Sequence, residues 1–444
     1  MAVPWDVAVA GGGPAGAFAA RELAQAGFSV VLIDPGTTRP RLEGLGERVA
    51  GLLAAKGLDA ALAAAGPRLP RTVRWAGLTG SENGERLVRR DAFDAALRAA
   101  AQAAGACLLT ARVSRIDDAD VARGVALRLS DGTALRARLM LDARGRHAHS
   151  HARALRRARG PATLAVAGRV AGLPVEPGIR VAATPQGWLW DACDPGFGRW
   201  IQICIDAGDL SGDLSGELPG SGPAALAARL AGFLAQPCLD GRYAGAVADG
   251  QPVARHCALT LSAPDLAPPL VPVGDAAAAI DPLSGHGLFW ALSSALAAAP
   301  MVRTLLDDPG QGAGRAARFH RDRVVGTFWR QARIGRDFYR LERGLAEYPF
   351  WAARAAWPDD RPAHAAPTET RLERRVVVDG DRLAERDVLV TPRDPDGVAF
   401  VAGLPVADLL ARLRDGAGSV PDPAAGWLAS RGLARPPPAT RPLS

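Results

Sequence analysis

Lysine is almost absent. Lys56 is the single lysine in 444 residues, and arginine supplies the rest of a formal net charge of +7. The arginines are spread along the chain, and Ala, Gly and Pro are also abundant, so compositional bias explains them better than a basic stripe would. No nucleic-acid partner is expected. Cysteine is also scarce. Cys107, Cys193, Cys204, Cys238 and Cys257 form no Cys-x-x-Cys pair and are odd in number, which suits reduced, mostly buried thiols in the cytosol. No apolar run of about 18 residues stands clear of charge or Pro/Gly punctuation, so neither a membrane-spanning helix nor a membrane partner is expected. Residues 1–6 lack a basic segment followed by an apolar stretch and a cleavage site, so no secretory signal and a cytoplasmic location are expected. A hydrophobic content of 48% supports a large core in two or three domains.

What is present is clearest near the start. Residues 5–10 form a short apolar strand. A glycine turn follows, then an Ala-rich helix to Ala26 that Gly27 closes. A second apolar strand, 30–33, ends at Asp34. Continuous apolar strands around a helix mark a buried parallel sheet. Between them lies Gly11-x-Gly13-x-x-Gly16, with Pro14 and Ala15 inside it. The first glycine permits a tight turn. The second lets backbone amides approach a pyrophosphate at the helix N-terminus, and the third lets helix and strand pack closely. Asp34 sits where an acid can hold a ribose hydroxyl.

Farther on, 90–104 reads as a helix, with strands at 106–115 and 124–130 and an Asp131-Gly132 hairpin turn. Residues 139–142 lead into a second turn at Gly145. Four short strands at 163–170, 179–183, 188–192 and 200–206 predict an inserted antiparallel sheet. Residues 209–222 read as a flexible loop. Residues 271–273 return to the parallel sheet, and long helices follow from about 286 and over 313–345. Beyond a linker at 357–369 come strands and a helix, and the Pro-rich tail from Arg435 reads as disordered. The chain is therefore α/β. It divides into a Rossmann-like part (1–160), an inserted antiparallel sheet (161–255), the first part continued with long helices (256–356), and a small C-terminal α+β module (370–433).

Four further segments carry chemistry. They are Arg90-x-x-Phe93-Asp94, Asp142-Ala143-Arg144-Gly145, Gly274-Asp275, and Asp281-Pro282-Leu283-Ser284-Gly285-His286-Gly287 before a helix. A Gly-Asp at a strand end can present a carboxylate to a polyol. A Gly-rich helix start can place N–H groups beside an electron-rich ring oxygen. In this order and spacing the chain resembles the flavoprotein monooxygenases of the p-hydroxybenzoate hydroxylase fold, with the flavin-dependent halogenases and geranylgeranyl reductases as relatives. The resemblance covers residues 5–345. It implies that the glycine motif and Asp34 bind the ADP part of FAD, that Arg90 contacts the cofactor, and that Asp275 holds the ribityl chain. The stretch Pro282, Gly285, His286 and Gly287 would lie beside the isoalloxazine, and Val113 joins the cofactor-binding set. The inserted sheet would form the substrate pocket. One departure is that the family's Asp-Gly motif, linked to pyridine nucleotide use in hydroxylases, is Arg144-Gly145 here. NAD(P)H and a separate flavin reductase both stand as electron donors.

The resemblance implies hydroxylation of an electron-rich aromatic by oxygen through a flavin C4a-hydroperoxide, the cofactor supplying the chemistry. Within the family, the arginine-rich chain and C-terminal module look most like the branch that hydroxylates a peptide-bound tryptophan during quinohemoprotein amine dehydrogenase maturation. A reductase of an isoprenoid-type double bond is the alternative, followed by a halogenase or a non-catalytic FAD-binding scaffold. Against a halogenase, Trp188-x-Trp190 is followed by Asp191-Ala192, not Ile-Pro, and Lys56 lies in an Ala/Leu-rich helical stretch. Trp188 and Trp190 share one strand face, either lining an aromatic pocket or belonging to the core. His286 and Glu47 are the candidate proton relays, against the plainer readings of a helix cap and an arginine partner. Gly220-x-Gly222-x-x-Ala225 follows a polar loop and is not a second nucleotide site. The alternating His147, His149 and His151 read as a surface loop, and no metal is expected.

Overall fold

The computed structural model describes residues 4–148, 158–207, 222–364, 367–415 and 421–433. The N-terminal strand–helix–strand unit forms as its pattern requires: β1 (Trp5–Ala10), α1 (Pro14–Gln25) and β2 (Val30–Ile33). The chain then runs through β3 (Leu42–Leu45), α2 (Glu47–Ala55), α3 (Asp59–Ala63), β4 (Ala65–Trp75), β5 (Leu78–Arg89) and α4 (Arg90–Ala103). Next come β6 (Cys107–Leu109), β7 (Val113–Asp120), β8 (Gly124–Leu129) and β9 (Ala134–Asp142), then a two-residue strand β10 (Ala158–Arg159). Four longer strands follow, β11 (Thr163–Ala171), β12 (Gly178–Thr184), β13 (Gly187–Asp194) and β14 (Gly198–Asp206), then α5 (Pro223–Leu234) and β15 (Val247–His256). The rest of this part comprises β16 (Thr260–Leu261), β17 (Leu270–Pro272), β18 (Ala278–Ala279) and the helices α6 (Gly287–Leu296), α7 (Ala298–Asp307), α8 (Gln311–His320), α9 (Gly326–Leu341) and α10 (Pro349–Ala356).

Two large sheets organise these elements. The first has the order β6-β2-β1-β9-β8-β7, with β17 also beside β9. Its strands β6, β2, β1, β9 and β17 are parallel, and Val7 to Ala10 are buried on both faces. Such double burial explains why these strands read as continuous apolar runs. The second sheet has the order β15-β11-β14-β13-β12-β4-β5-β3. The inserted antiparallel sheet is therefore larger than expected, because β3, β4 and β5, all N-terminal to α4, join it. β4 pairs with β12 in parallel.

Three other expectations are adjusted. The strand expected at 106–115 is interrupted between β6 and β7. The helix from 286 breaks at Ala297, where Pro300 has no N–H to bond the Leu296 carbonyl. The helix expected over 313–345 begins at Gln311, passes through a π-helical turn at Arg321–Val325 and ends at Leu341. The run Gly287–Asp307 is long and apolar enough to cross a membrane, but 67% of its apolar window is buried in the protein, as in a core helix. Residues 209–221, His149, His151 and the tail beyond 433 lie outside the described residues.

The chain forms two compact units, one of residues 1–302 with 320–363 and the other of residues 303–319 with 364–444. In the second, β19 (Arg371–Asp379) and β20 (Arg382–Val390) form a hairpin, followed by β21 (Phe400–Val401), β22 (Leu404–Pro405), α11 (Val406–Asp415) and α12 (Asp422–Ser430). Its own core joins Leu389, Val406, Leu409 and Leu428. Thr304 Oγ accepts a hydrogen bond from Leu383 N–H at 2.9 Å, tying the helical segment 303–319 to the hairpin.

Candidate active site

The glycine turn has a defined shape. Gly11 has φ +100°, and a Cβ there would sit 2.6 Å from the Ala143 carbonyl oxygen. A Cβ at Gly16 would overlap the Gly11 carbonyl, whereas one at Gly13 would meet nothing within 4 Å. That empty space lies in front of α1, whose first-turn amides at Ala15 and Gly16 have no acceptor within the helix. Asp34 staples the turn. Its Oδ2 accepts from Gly12 N–H at 2.6 Å and its Oδ1 from Gly36 N–H at 2.8 Å. A carboxylate has about four acceptor positions, so capacity remains for a ribose hydroxyl. Val113 opens β7 and packs against the first sheet's core.

A charged group lies beside this turn. Arg90, the first residue of α4, is buried. It donates to Asp94 through Nε and Nη2, both at 3.0 Å, and to Glu43 Oε1 at 2.7 Å. Arg41 also donates to Glu43, at 2.9 Å. Burial pushes the Glu43 carboxyl up, but Arg90 and Arg41 together pull it down to about 2. Arg255, on β15 at the opposite edge of the second sheet, feels the charges of the same group. Burial, with the charges of Arg41, Arg90 and Arg39, lowers it to about 10. Asp275 follows β17 in a short turn. The Cβ position of Gly274 lies 3.0 Å from the Ala15 Cβ, so this turn abuts the glycine motif. Asp275 pairs with Arg146 at 3.3 Å. Arg146 in turn donates to the carbonyls of Ala258 and Ile280. Burial raises the Asp275 carboxyl, opposed by Arg146. Asp142 is already neutralised by Arg144, at 2.9 and 2.7 Å.

The loop from Asp281 to Gly287 turns at Gly285, φ +64°, and Gly287 begins α6. Asp281 Oδ1 accepts from Leu283 N–H at 2.9 Å. Tyr339 O–H, on α9, lies 3.2 Å from Asp281 Oδ2 and receives the Trp188 indole N–H at 3.3 Å. Burial raises the Asp281 carboxyl. Leu283 packs in one cluster with Trp188, Trp190, Tyr339, Phe350 and Trp351. The loop and the tryptophan face of β13 therefore meet, with Trp188 buried and Trp190 half-buried. His286 precedes α6 without capping it through its side chain. Burial and the charge of Arg48 hold its pKa below the usual value. Glu47 opens α2, half exposed, with Arg86 Nε 3.7 Å away. Lys56 ends α2 and is paired with Glu22 at 2.5 Å.

Open space and free amides at α1, a buried arginine and a carboxylate beside them, and a glycine-turned loop facing an aromatic sheet fit a flavin dinucleotide. The ends of α1 and α4 would hold the pyrophosphate and Asp275 the polyol, with the 282–287 loop along the ring. Sequence reasoning missed Glu43, Arg255 and Tyr339, since their roles arise from strand and helix pairings distant in sequence.

Among solved structures, peptidyl tryptophan dihydroxylase QhpG, essential for tryptophylquinone cofactor biogenesis, shares 34% sequence identity with this chain. The match covers 97% of this chain and 100% of that one, with a TM-score of 0.80. The chain belongs to the QhpG family. It is an FAD-dependent oxidoreductase. The flavin-dependent halogenase CmlS matches at 17% identity over 97% of this chain and 92% of its own, with a TM-score of 0.74. The chondrochloren halogenase CndH matches at 22% identity over 79% and 85%, with a TM-score of 0.62. These two share the fold. The CmlS match extends over the C-terminal unit, so that unit alone does not separate a hydroxylase of this family from a halogenase. A family model described as lycopene cyclase protein matches residues 6–163. A search of curated proteins finds no match.

Proposed function

We propose that the protein hydroxylates a peptide-bound tryptophan, using FAD, dioxygen and electrons from NAD(P)H or a separate flavin reductase. The observation that carries this reading is the 34% identity to peptidyl tryptophan dihydroxylase over 97% of the chain. The site supports it. The aromatic face of β13 meets the 281–287 loop through Leu283, and the only lysine is tied to Glu22, leaving none free to direct a halogenating species. When bound, the flavin supplies activation of oxygen and transfer of one oxygen atom to the ring. The chain's own residues do the rest. Arg90 and the α1 amides hold the pyrophosphate, Asp275 holds the polyol, and the tryptophan face orients the substrate ring and excludes water. His286, kept neutral by its surroundings, can take up a proton beside the ring, with Glu47 at the neighbouring helix start.

The test is turnover of a tryptophan-containing peptide by FAD-loaded, reduced protein under labelled dioxygen. The expected product gains one or two oxygen atoms, each carrying the label. Unmodified peptide, with flavin reoxidised instead by an isoprenoid alkene that gains two hydrogens, would overturn the reading.

A further inference from the structure

The inner face of the second sheet is largely apolar, with Gln202 cross-strand from Trp190 and Arg71 beside Ile179 among its polar exceptions. Leu69, Leu87, Ile179, Ala192 and Trp200 pack at one end, and Val181, Trp188 and Cys204 pack at the other against α9, α10 and the 281–287 loop. Trp190 touches both clusters. Beside it, on β5, is Glu85, cross-strand from Leu69 and so on the same face. Its carboxylate packs against Gly44, where a Cβ would overlap it. Gly44 follows Glu43, the partner of Arg90, so Glu85 stands where the flavin cradle meets the aromatic wall.

We propose that Glu85 is the hydrogen-bond acceptor for the indole N–H of the substrate tryptophan, selecting indoles over rings of equal shape that lack the N–H. This rests on the reading under Proposed function. The Trp190 indole N–H lies close enough to act on the Glu85 carboxylate, pulling it down against burial. An indole N–H lying on this face can therefore reach the carboxylate. One such donor leaves about three acceptor positions, and a half-buried carboxylate with unmet capacity favours a further donor. Burial raises the Glu85 carboxyl, and Arg71 opposes the rise. Arg71 Nε is itself buried without a hydrogen bond among the described residues, so the polar groups here are not saturated by one another. A tryptophan ring placed between Trp190 and the flavin-side loop would bury its N–H, which needs an acceptor. A benzothiophene ring would leave the carboxylate facing sulfur.

The experiment compares two peptides, one with tryptophan and one with 3-benzothienylalanine at the same position, on the FAD-loaded enzyme. The wild type should prefer tryptophan in kcat/KM by about tenfold to a hundredfold. Glu85→Leu should bring the ratio close to one by losing rate on tryptophan alone. Glu85→Gln, which keeps the shape and a neutral acceptor, should fall between and covers the case in which the leucine variant folds poorly. A role limited to fixing Trp190 would slow both peptides equally, and that result overturns the proposal, as does a wild type with no preference. If neither peptide is turned over, the substrate reading fails. Flavin difference spectra with tryptophan amide and benzothienylalanine amide then decide the matter for Glu85. Tighter binding of the indole in wild type but not in Glu85→Leu supports the role, and equal or absent binding of both ends it.

Discussion

Glu43 is held by two guanidinium groups although it is partly sheltered from water. Its folded pKa, about 2, lies below the ordinary value of 4.5. A depressed carboxylate stabilises the fold above its unfolded pKa, and that contribution is lost as pH falls through the folded one. Glu43→Gln should therefore lower stability at pH 7 by about 1–3 kcal/mol, a figure reduced for partial exposure. The deficit should shrink between roughly pH 4.5 and 2. Urea unfolding of both proteins at pH 7, 4 and 3 checks this, and a deficit independent of pH would remove the ion pairs from the explanation. Asp34 and Asp275 stand out in the sequence as candidate cofactor-facing acids because each closely follows a strand. Apart from Arg41, two residues before it, nothing near Glu43 in the sequence marks it, since its buried partner Arg90 lies far along the chain. Asp34 also does more than its position implies, because it closes the glycine turn through Gly12 and Gly36.

At the scale of elements, the β1–α1–β2 unit was readable almost residue by residue, since local pattern and turn chemistry agree. Gly13 offers a clean test of its purpose. A Cβ there meets no protein atom within 4 Å, so Gly13→Val should leave the fold intact while filling the space before the α1 amides. The purified variant should be colourless, with unchanged far-UV circular dichroism. Full FAD occupancy would dismiss the pyrophosphate assignment. The strands from 42 to 89 were not legible as part of the second sheet. They carry Arg, Glu and Gly in place of an alternating apolar pattern, and register breaks interrupt β4 against β5. Their place is set by long-range pairing with β12, which no local window contains. The antiparallel strands from 163 to 206 were recognised because each packs an apolar face and ends at Gly or Pro.

For the whole molecule, the C-terminal unit has its own core and a hairpin of balanced charge whose β19 pairs only with β20 among the described residues. A free strand edge can add an extended peptide. Deleting residues 370–444 should leave a yellow protein that still consumes oxygen when reduced but no longer modifies a peptide substrate. Hydroxylation of the peptide at the full rate by the truncated protein would remove any docking role for the unit. The path of the chain through the catalytic unit has a different bearing. It leaves the parallel sheet after β2, lays three strands in the second sheet, and returns through α4, whose first residue is Arg90. Glu85 belongs to that excursion, while Trp188 and Trp190 come from one strand, β13, a hundred residues later. The wall proposed to face the substrate thus draws on two stretches, one of which also carries Glu43, the partner of Arg90. No single cassette can be exchanged between relatives to import a new specificity whole. Descent with a changed substrate must proceed by point replacement across both stretches, each step constrained by the need to keep the flavin.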